Sequence, residues 1–76
     1  MKRTSYAIEQ RLRFIDFLLF QYGHINRSAL EAYYGISKPQ ATNDIGDYLK
    51  LAPDNARYDL TAKAYMRSEA FKRIWP

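Results

Sequence analysis

Lys38, Gln40, Thr42 and Asn43 lie within six consecutive positions, and each side chain can meet the edge of a nucleic-acid base. The planar amides of Gln40 and Asn43 each donate and accept, which suits N6 and N7 of adenine. The Thr42 methyl suits thymine, and Lys38 suits a guanine edge or a phosphate. A good bidentate contact of this kind discriminates against the wrong base by about 1–3 kcal/mol. Catalytic chemistry finds no comparable cluster. With one histidine, His24, and no cysteine, the chain offers no thiolate zinc site and no His-based catalytic pair. It also has no paired-carboxylate or Gly-rich phosphate motif. The expectation is a protein that is not an enzyme and carries no cofactor and no metal.

Such side chains work only if a rigid element presents them, and the stretch from Asn26 to Leu49 supplies one. Asn26 is an N-cap for a helix over about Arg27–Tyr34, since its short side chain can accept from an orphaned amide. Gly35 ends that helix by taking a left-handed conformation at no Cβ cost. Ser37 caps a second helix over about Lys38–Leu49, with Pro39 in the first turn, where a missing N–H costs nothing. Two helices joined by a tight Gly-Ile-Ser turn form a helix-turn-helix unit. Ile25 and Ile36, each just before a cap, are placed to staple onto Leu30 and Ala41.

Projected at 3.6 residues per turn, the second helix turns Ala41, Ile45, Tyr48 and Leu49 inward and Gln40, Asn43 and Asp47 outward. Two tasks compete for Gln40, because it falls three residues after Ser37 and can complete a capping box. Asn43 has no structural task and reads as a base contact. Asp44 is expected to pair with a nearby arginine, and Asp47 to lie past the groove's edge. Gly46 weakens the helix interior by roughly 1 kcal/mol relative to alanine, and its bareness invites a close approach.

Ahead of this unit, Ile8, Leu12, Ile15, Leu19 and Tyr22 recur at steps of three and four, which predicts an amphipathic helix over about Ser5–Tyr22 ended by Gly23. Phe14, Phe17, Leu18 and Phe20 widen its stripe, either as a core packed on both sides or as a dimer seam. His24 is expected in a solvent-facing loop, and Tyr33 in the core. Met1–Arg3 reads as a mobile basic tail. After the turn Ala52–Asn55, the segments Arg57–Leu60 and Lys63–Met66 predict a β-hairpin, although Thr61–Ala62 lacks the residues of a simple two-residue turn. Phe71, Ile74 and Trp75 form an apolar cluster that packs back on the first helix or the hairpin, or receives a partner. Most tyrosines fall at inward positions, which favours core packing over stacking on single strands.

The 76 residues fill one small domain, residues 1–76, with formal charge +4. Residues 1–27 carry five basic and two acidic side chains, residues 28–50 two and three, and residues 51–76 five and three. The cations therefore flank the motif and do not lie on it. Phosphate contacts are expected from Arg27 and Ser28 at a helix N-terminus, where partial positive charge collects, and from Arg57 and Lys63 on the hairpin. The plain rival is a solvated basic rim. No apolar run reaches the roughly 20 residues of a membrane span, and no signal peptide is evident, so a cytoplasmic location follows. The fold class is mainly α (α+β): a winged helix-turn-helix of three helices followed by a two-stranded wing over about 56–67, with the helix-turn-helix at 26–49.

The runs Tyr-Gly-His-Ile-Asn-Arg-Ser-Ala-Leu (22–30), Tyr-Gly-Ile-Ser-Lys-Pro-Gln-Ala-Thr-Asn-Asp-Ile (34–45), Tyr-Leu-Lys-Leu-Ala-Pro-Asp-Asn (48–55) and Tyr-Asp-Leu-Thr-Ala-Lys-Ala-Tyr (58–65) carry a family likeness. From about Arg11 to Phe71 the chain resembles the N-terminal winged helix-turn-helix domain of bacterial WYL-domain transcriptional regulators, above all the repressors found beside phage-defence operons. The resemblance implies a dimeric, sequence-specific transcription factor, and the function expected is a transcriptional repressor that grips an inverted repeat of double-stranded DNA as a homodimer. It assigns reading to Lys38, Gln40, Thr42 and Asn43 and the wing to Arg57–Arg67. Those regulators continue into a ligand-sensing WYL domain, whereas this sequence stops at Pro76, so no small-molecule effector site is expected within it. A winged helix serving as a protein-interaction module is the alternative, with the net charge of the motif in its favour.

Overall fold

The computed structural model describes residues 5–76, and the expected basic tail Met1–Arg3 lies outside them. Helix α1 spans Tyr6–Tyr22, strand β1 His24–Ile25, helix α2 Arg27–Tyr34, helix α3 Lys38–Leu51, strand β2 Ala56–Asp59 and strand β3 Ala64–Arg67. Three helices followed by a wing are thus the fold, as the sequence predicts.

Short polar caps open each helix. Ser5 Oγ accepts from Ile8 N–H at 3.1 Å, Asn26 Oδ1 from Ala29 N–H at 3.0 Å, and Ser37 Oγ from Gln40 N–H at 3.2 Å. Gly23 and Gly35 close α1 and α2 in the left-handed region, at φ 81° and 66°. These two turns aim α2 and α3 across α1. Leu12, Ile15 and Leu19 then meet Ile25, Leu30, Ala41, Ile45, Tyr48 and Ala56 in one buried cluster. Both expected staple pairs belong to it, Ile25 and Leu30 at its centre, Ala41 inside and Ile36 at its margin.

The sheet corrects the expected loop at His24. β1 pairs antiparallel with β3, so the strand order is β1-β3-β2 and the wing shares a sheet with the α1–α2 connection. Alternation puts Ile25 into the core, and that burial draws the short strand onto β3. The His24 side chain is exposed, as expected. In the hairpin, Tyr58 lies opposite Tyr65 and Asp59 opposite Ala64, which leaves a four-residue connection of Leu60–Lys63. Asp59 builds that turn: its Oδ1 accepts from Thr61 and Ala62 amides at 2.8 and 3.0 Å. Lys63 pays the conformational cost, sitting at φ 55° where glycine is usual.

Polar groups hold the periphery. Buried Asp16 accepts from the Tyr48 hydroxyl at 2.6 Å, and from the Ile74 and Trp75 amides at 3.0 and 3.1 Å. Asn55 donates to Tyr48 Oη at 2.9 Å and to the Lys72 carbonyl at 2.8 Å. The segment 68–76 has no helix or strand of its own, yet these contacts fasten it across α1. Phe71, Ile74 and Trp75 pack against the core, as expected of that cluster. Arg73 lies over the Phe20 ring at 4.4 Å, and Arg67 Nη1 donates to the Phe20 carbonyl at 2.9 Å, capping the end of α1.

The aromatic assignments need revision. Tyr22 is 64% exposed and Tyr33 69% exposed, against the expected core positions. Tyr22 is the last residue of α1, where Gly23 turns the chain away. Tyr33 lies flat on Phe14 at 4.6 Å between ring centroids, so one face is covered and the rest meets solvent. Only Tyr48 of the tyrosines is fully buried.

Candidate nucleic-acid interface

α3 is backed onto the core by Ala41, Asp44, Ile45 and Tyr48, all buried. The residues on the other side, Pro39, Thr42, Asn43, Gly46 and Lys50, are exposed. Asn43 occupies the crest, and no side-chain hydrogen bond ties it down among the described residues. Its amide is available to a ligand.

Gln40 has a task beyond the two expected ones. Its Nε2 donates to Asp44 Oδ1 at 2.9 Å, so the reciprocal bond of a capping box is not formed. Asp44 also takes Arg11 Nε at 2.5 Å and Nη2 at 3.3 Å. The expected arginine partner of Asp44 is therefore Arg11, from α1. The carboxylate is buried, and a buried charge persists only when paired and hydrogen-bonded. The Gln40–Asp44–Arg11 chain meets that demand and fixes the rotation of α3 against α1. Because an ionised carboxylate only accepts, Gln40 must turn its nitrogen towards Asp44.

Beside the other flank of α3 runs a cleft of about 530 Å³ walled by α2, α3 and the wing. Arg27, Ser28, Lys38, Thr42 and Lys63 all line it, together with Asn26, Glu31, Tyr58 and Tyr65. Five of the eight expected contact residues thus converge. Arg27 Nη1 donates to Thr42 Oγ1 at 3.3 Å, which joins the start of α2 to α3 across the cleft. Arg27, Lys38 and Lys63 make its lining cationic, with Glu31 the one opposing charge among the lining residues. Gln40, Asn43 and Arg57 do not line it.

Tyr58 and Tyr65 are contributors that the sequence reading did not single out. They pack edge to face at 5.0 Å as a cross-strand pair and line the cleft together with Lys63. Their alternation with Arg57 and Met66 was visible in the sequence; which face of the wing meets the helices was not. Lys50 stands on the exposed side of α3 as well. It lies one helical turn beyond Gly46 with its side chain 83% exposed, only 3.9 Å from Asp47 in a loose surface pair. Among the described residues no His/Cys/Asp/Glu group could hold a metal ion, and no helix is long and apolar enough to cross a membrane.

Comparison with known proteins gives this geometry a family. Residues 7–75 match the BrxR transcriptional regulator winged helix-turn-helix domain. A DNA-binding transcriptional repressor CapW of Pseudomonas aeruginosa is 50% identical over 68 residues, 90% of this chain and 23% of that protein. The CapW repressor of Escherichia coli strain KTE188 is 46% identical over 67 residues, 88% of this chain and 22% of the relative. That of Stenotrophomonas maltophilia is 46% identical over 72 residues, 95% of this chain and 24% of the relative. The chain thus spans under a quarter of the length of these relatives. A match this continuous, through both caps, the Gly-Ile-Ser turn, the wing and the C-terminal segment, shows that the chain belongs to the BrxR family of transcriptional-regulator winged helix-turn-helix domains.

Proposed function

We propose that the chain is the sequence-specific, double-stranded-DNA-reading part of a transcriptional repressor. One observation carries this reading: the free outward face of α3 borders a cationic cleft that gathers Arg27, Ser28, Lys38 and Lys63 from three elements. A helix fits the major groove, and phosphate contacts orient it while base contacts specify. Asn43 is the base reader. Lys38 stands where it can reach a guanine edge or a phosphate, and Thr42 both holds Arg27 and exposes its methyl. Gln40 reads with its carbonyl oxygen, its nitrogen being held by Asp44. Arg27, Ser28 and Lys63 take the phosphate in the cleft, and Arg57 a phosphate beside the wing.

A single module buries only about 600–1,000 Å² on DNA, which favours a homodimer on an inverted repeat with half-sites one helical turn apart or a multiple of it. The work is non-enzymatic, in the cytoplasm, and this chain supplies no effector site. The names of the CapW relatives support repression as the outcome.

Selection of bound oligonucleotides from a random duplex pool tests the reading. A recovered palindromic consensus is the expected result. With roughly 4–6 phosphates contacted per protomer, log K should fall with log salt at a slope of about −4 to −5. No retardation of any duplex at modest salt would overturn it in favour of a protein-interaction module.

A further inference from the structure

Gln40 is the third residue of α3, in the first turn, where a recognition helix meets base edges. Its amide has two ends of opposite sense, a nitrogen that donates and an oxygen that accepts. Left free, the group can turn either end outward and suit itself to the base it meets. Here it is not free. Nε2 donates to Asp44 Oδ1 at 2.9 Å, and Asp44 is fully buried. The nitrogen is thereby held on the core side of the helix. Gln40 itself is only partly buried, and among the described residues no side-chain hydrogen bond engages its Oε1.

The carboxylate that holds the amide is held in turn. Arg11, from α1, places Nε at 2.5 Å from Asp44 Oδ2 and Nη2 at 3.3 Å from Oδ1. Gripped at both oxygens, Asp44 cannot rotate to follow a turning glutamine. Reversing the amide would set Oε1 against Oδ1, two acceptors with no proton between them, and would lose the bond.

We infer that the Arg11–Asp44 pair sets the base specificity of α3 at one position, by fixing which end of the Gln40 amide faces the DNA. With Oε1 outward, Gln40 requires a donor from the base it faces. In the major groove the only donors are exocyclic amines, N6 of adenine and N4 of cytosine. Guanine and thymine offer O6, N7 and O4, all acceptors, and are refused there. Gln40 is the contact, and Arg11 and Asp44 are positioning residues behind it. The inference rests on the DNA-reading proposal and adds to it the chemical class of base and the pair that chooses it.

The test uses the 76-residue chain. Selection from a random duplex pool is run for wild type and for Gln40→Ala, and the base pair at which only wild type shows a preference is the one Gln40 reads. In that pair adenine is replaced by purine, or cytosine by pyrimidinone, so that only the exocyclic amine is lost. Wild type should then bind about fivefold or more weakly, the effect of one lost hydrogen bond, and Gln40→Ala should change by less than about twofold. Asp44→Asn offers the amide a partner of either sense. It should lose the preference at this pair and keep the rest of the consensus, which a merely structural role would not produce. Undiminished wild-type binding to the amine-free duplex overturns the inference, as does a Gln40→Ala consensus identical to that of wild type; either leaves the DNA reading standing. An Asp44→Asn chain that binds every duplex more weakly yet keeps the preference also overturns it. If that variant does not fold, the amine-free duplex decides alone. Failure of the wild-type chain to bind any duplex overturns the DNA reading itself.

Discussion

Arg27 reaches across from the first turn of α2 and donates through Nη1 to Thr42 Oγ1 on α3, at 3.3 Å. The contact makes the two helices of the motif present one cation from a fixed position. Thr42 cannot then be counted as a base reader alone, since its oxygen already accepts from the guanidinium. Thr42→Val keeps a methyl and the shape but removes the acceptor. We predict a loss of about 3-fold to 5-fold on specific and random duplex alike, comparable to one long, solvent-exposed hydrogen bond of about 1 kcal/mol. A double-mutant cycle with Arg27→Ala should show coupling of at least about 0.5 kcal/mol. Additive losses would mean that the two side chains act separately.

Asn43 and Arg27 should separate cleanly. Asn43→Ala is expected to cost about 1–3 kcal/mol on the selected site and almost nothing on random DNA. Arg27→Ala should weaken both and flatten the salt dependence by about one unit of slope. Titration of each variant against the two duplexes by fluorescence anisotropy checks this. Parallel losses for Asn43→Ala would remove it from the reading face.

Asp44 is where stability and reading meet. Its removal leaves the Arg11 guanidinium, 12% exposed, without its counter-charge and frees the Gln40 amide. Breaking a buried pair from one side costs about 3–5 kcal/mol, against a total of roughly 5–15 kcal/mol for a whole domain. Asp44→Ala is therefore expected to lower the urea midpoint sharply with m unchanged. A drop under about 1 kcal/mol would show that the pair is more solvated than its burial implies.

Lys63 stores the opposite kind of energy. At φ 55° it occupies a region that costs a non-glycine residue about 1–3 kcal/mol, part of which glycine's own entropy would give back. Lys63→Gly should stabilise the fold by about 1 kcal/mol while weakening DNA binding, because a cation leaves the cleft. Stabilisation without weaker binding would place Lys63 outside the interface.

Tyr48 sets the alkaline limit. Burial first, and then the bond to Asp16, push its hydroxyl well above the ordinary tyrosine value of 10.0. The folded state therefore keeps a proton that the unfolded chain releases. That stability is fully present below pH 10 and is lost progressively as pH rises above it. Tyr34, raised mainly by burial, acts with the same sign. Tyr48→Phe should be less stable at neutral pH, having lost two hydrogen-bond partners, and should show a shallower fall in stability above pH 10. Unfolding by urea at neutral and alkaline pH checks both arms.

Local chemistry made most of this fold legible. The caps Asn26 and Ser37 and the terminators Gly23 and Gly35 act through neighbours three or four residues away, so their effect is written in the sequence near them. The exposure of Asn43 was legible in the same way, because helical periodicity puts it outward. What was hidden depends on long-range partners. Gln40 is committed to Asp44 because Arg11 arrives from another helix. His24 joins a strand because β3 happens to pass it. Tyr22 and Tyr33 match an apolar period yet stand where no element covers them. The Asp16–Tyr48–Asn55 network had no signal at all, since an Asp or Asn in a sequence reads as surface until three separated segments enclose it.

The Asp16 carboxylate, which holds the Ile74 and Trp75 amides, bridges 58 and 59 residues of chain. Shorter-range bonds from Asn55 to Ser68 and Lys72 hold the start of the segment 68–76, whereas residues 74 and 75 close only on a formed α1. Loop entropy grows with the span to be closed, and contacts of such separation are made late in folding. The same asymmetry governs the native state. The segment can lift away while all three helices keep their ladders, and amide exchange at residues 74 and 75 would then run ahead of the core at Leu19 and Ile45. Residues 68–76 thus form a latch whose breathing can be timed separately from global unfolding.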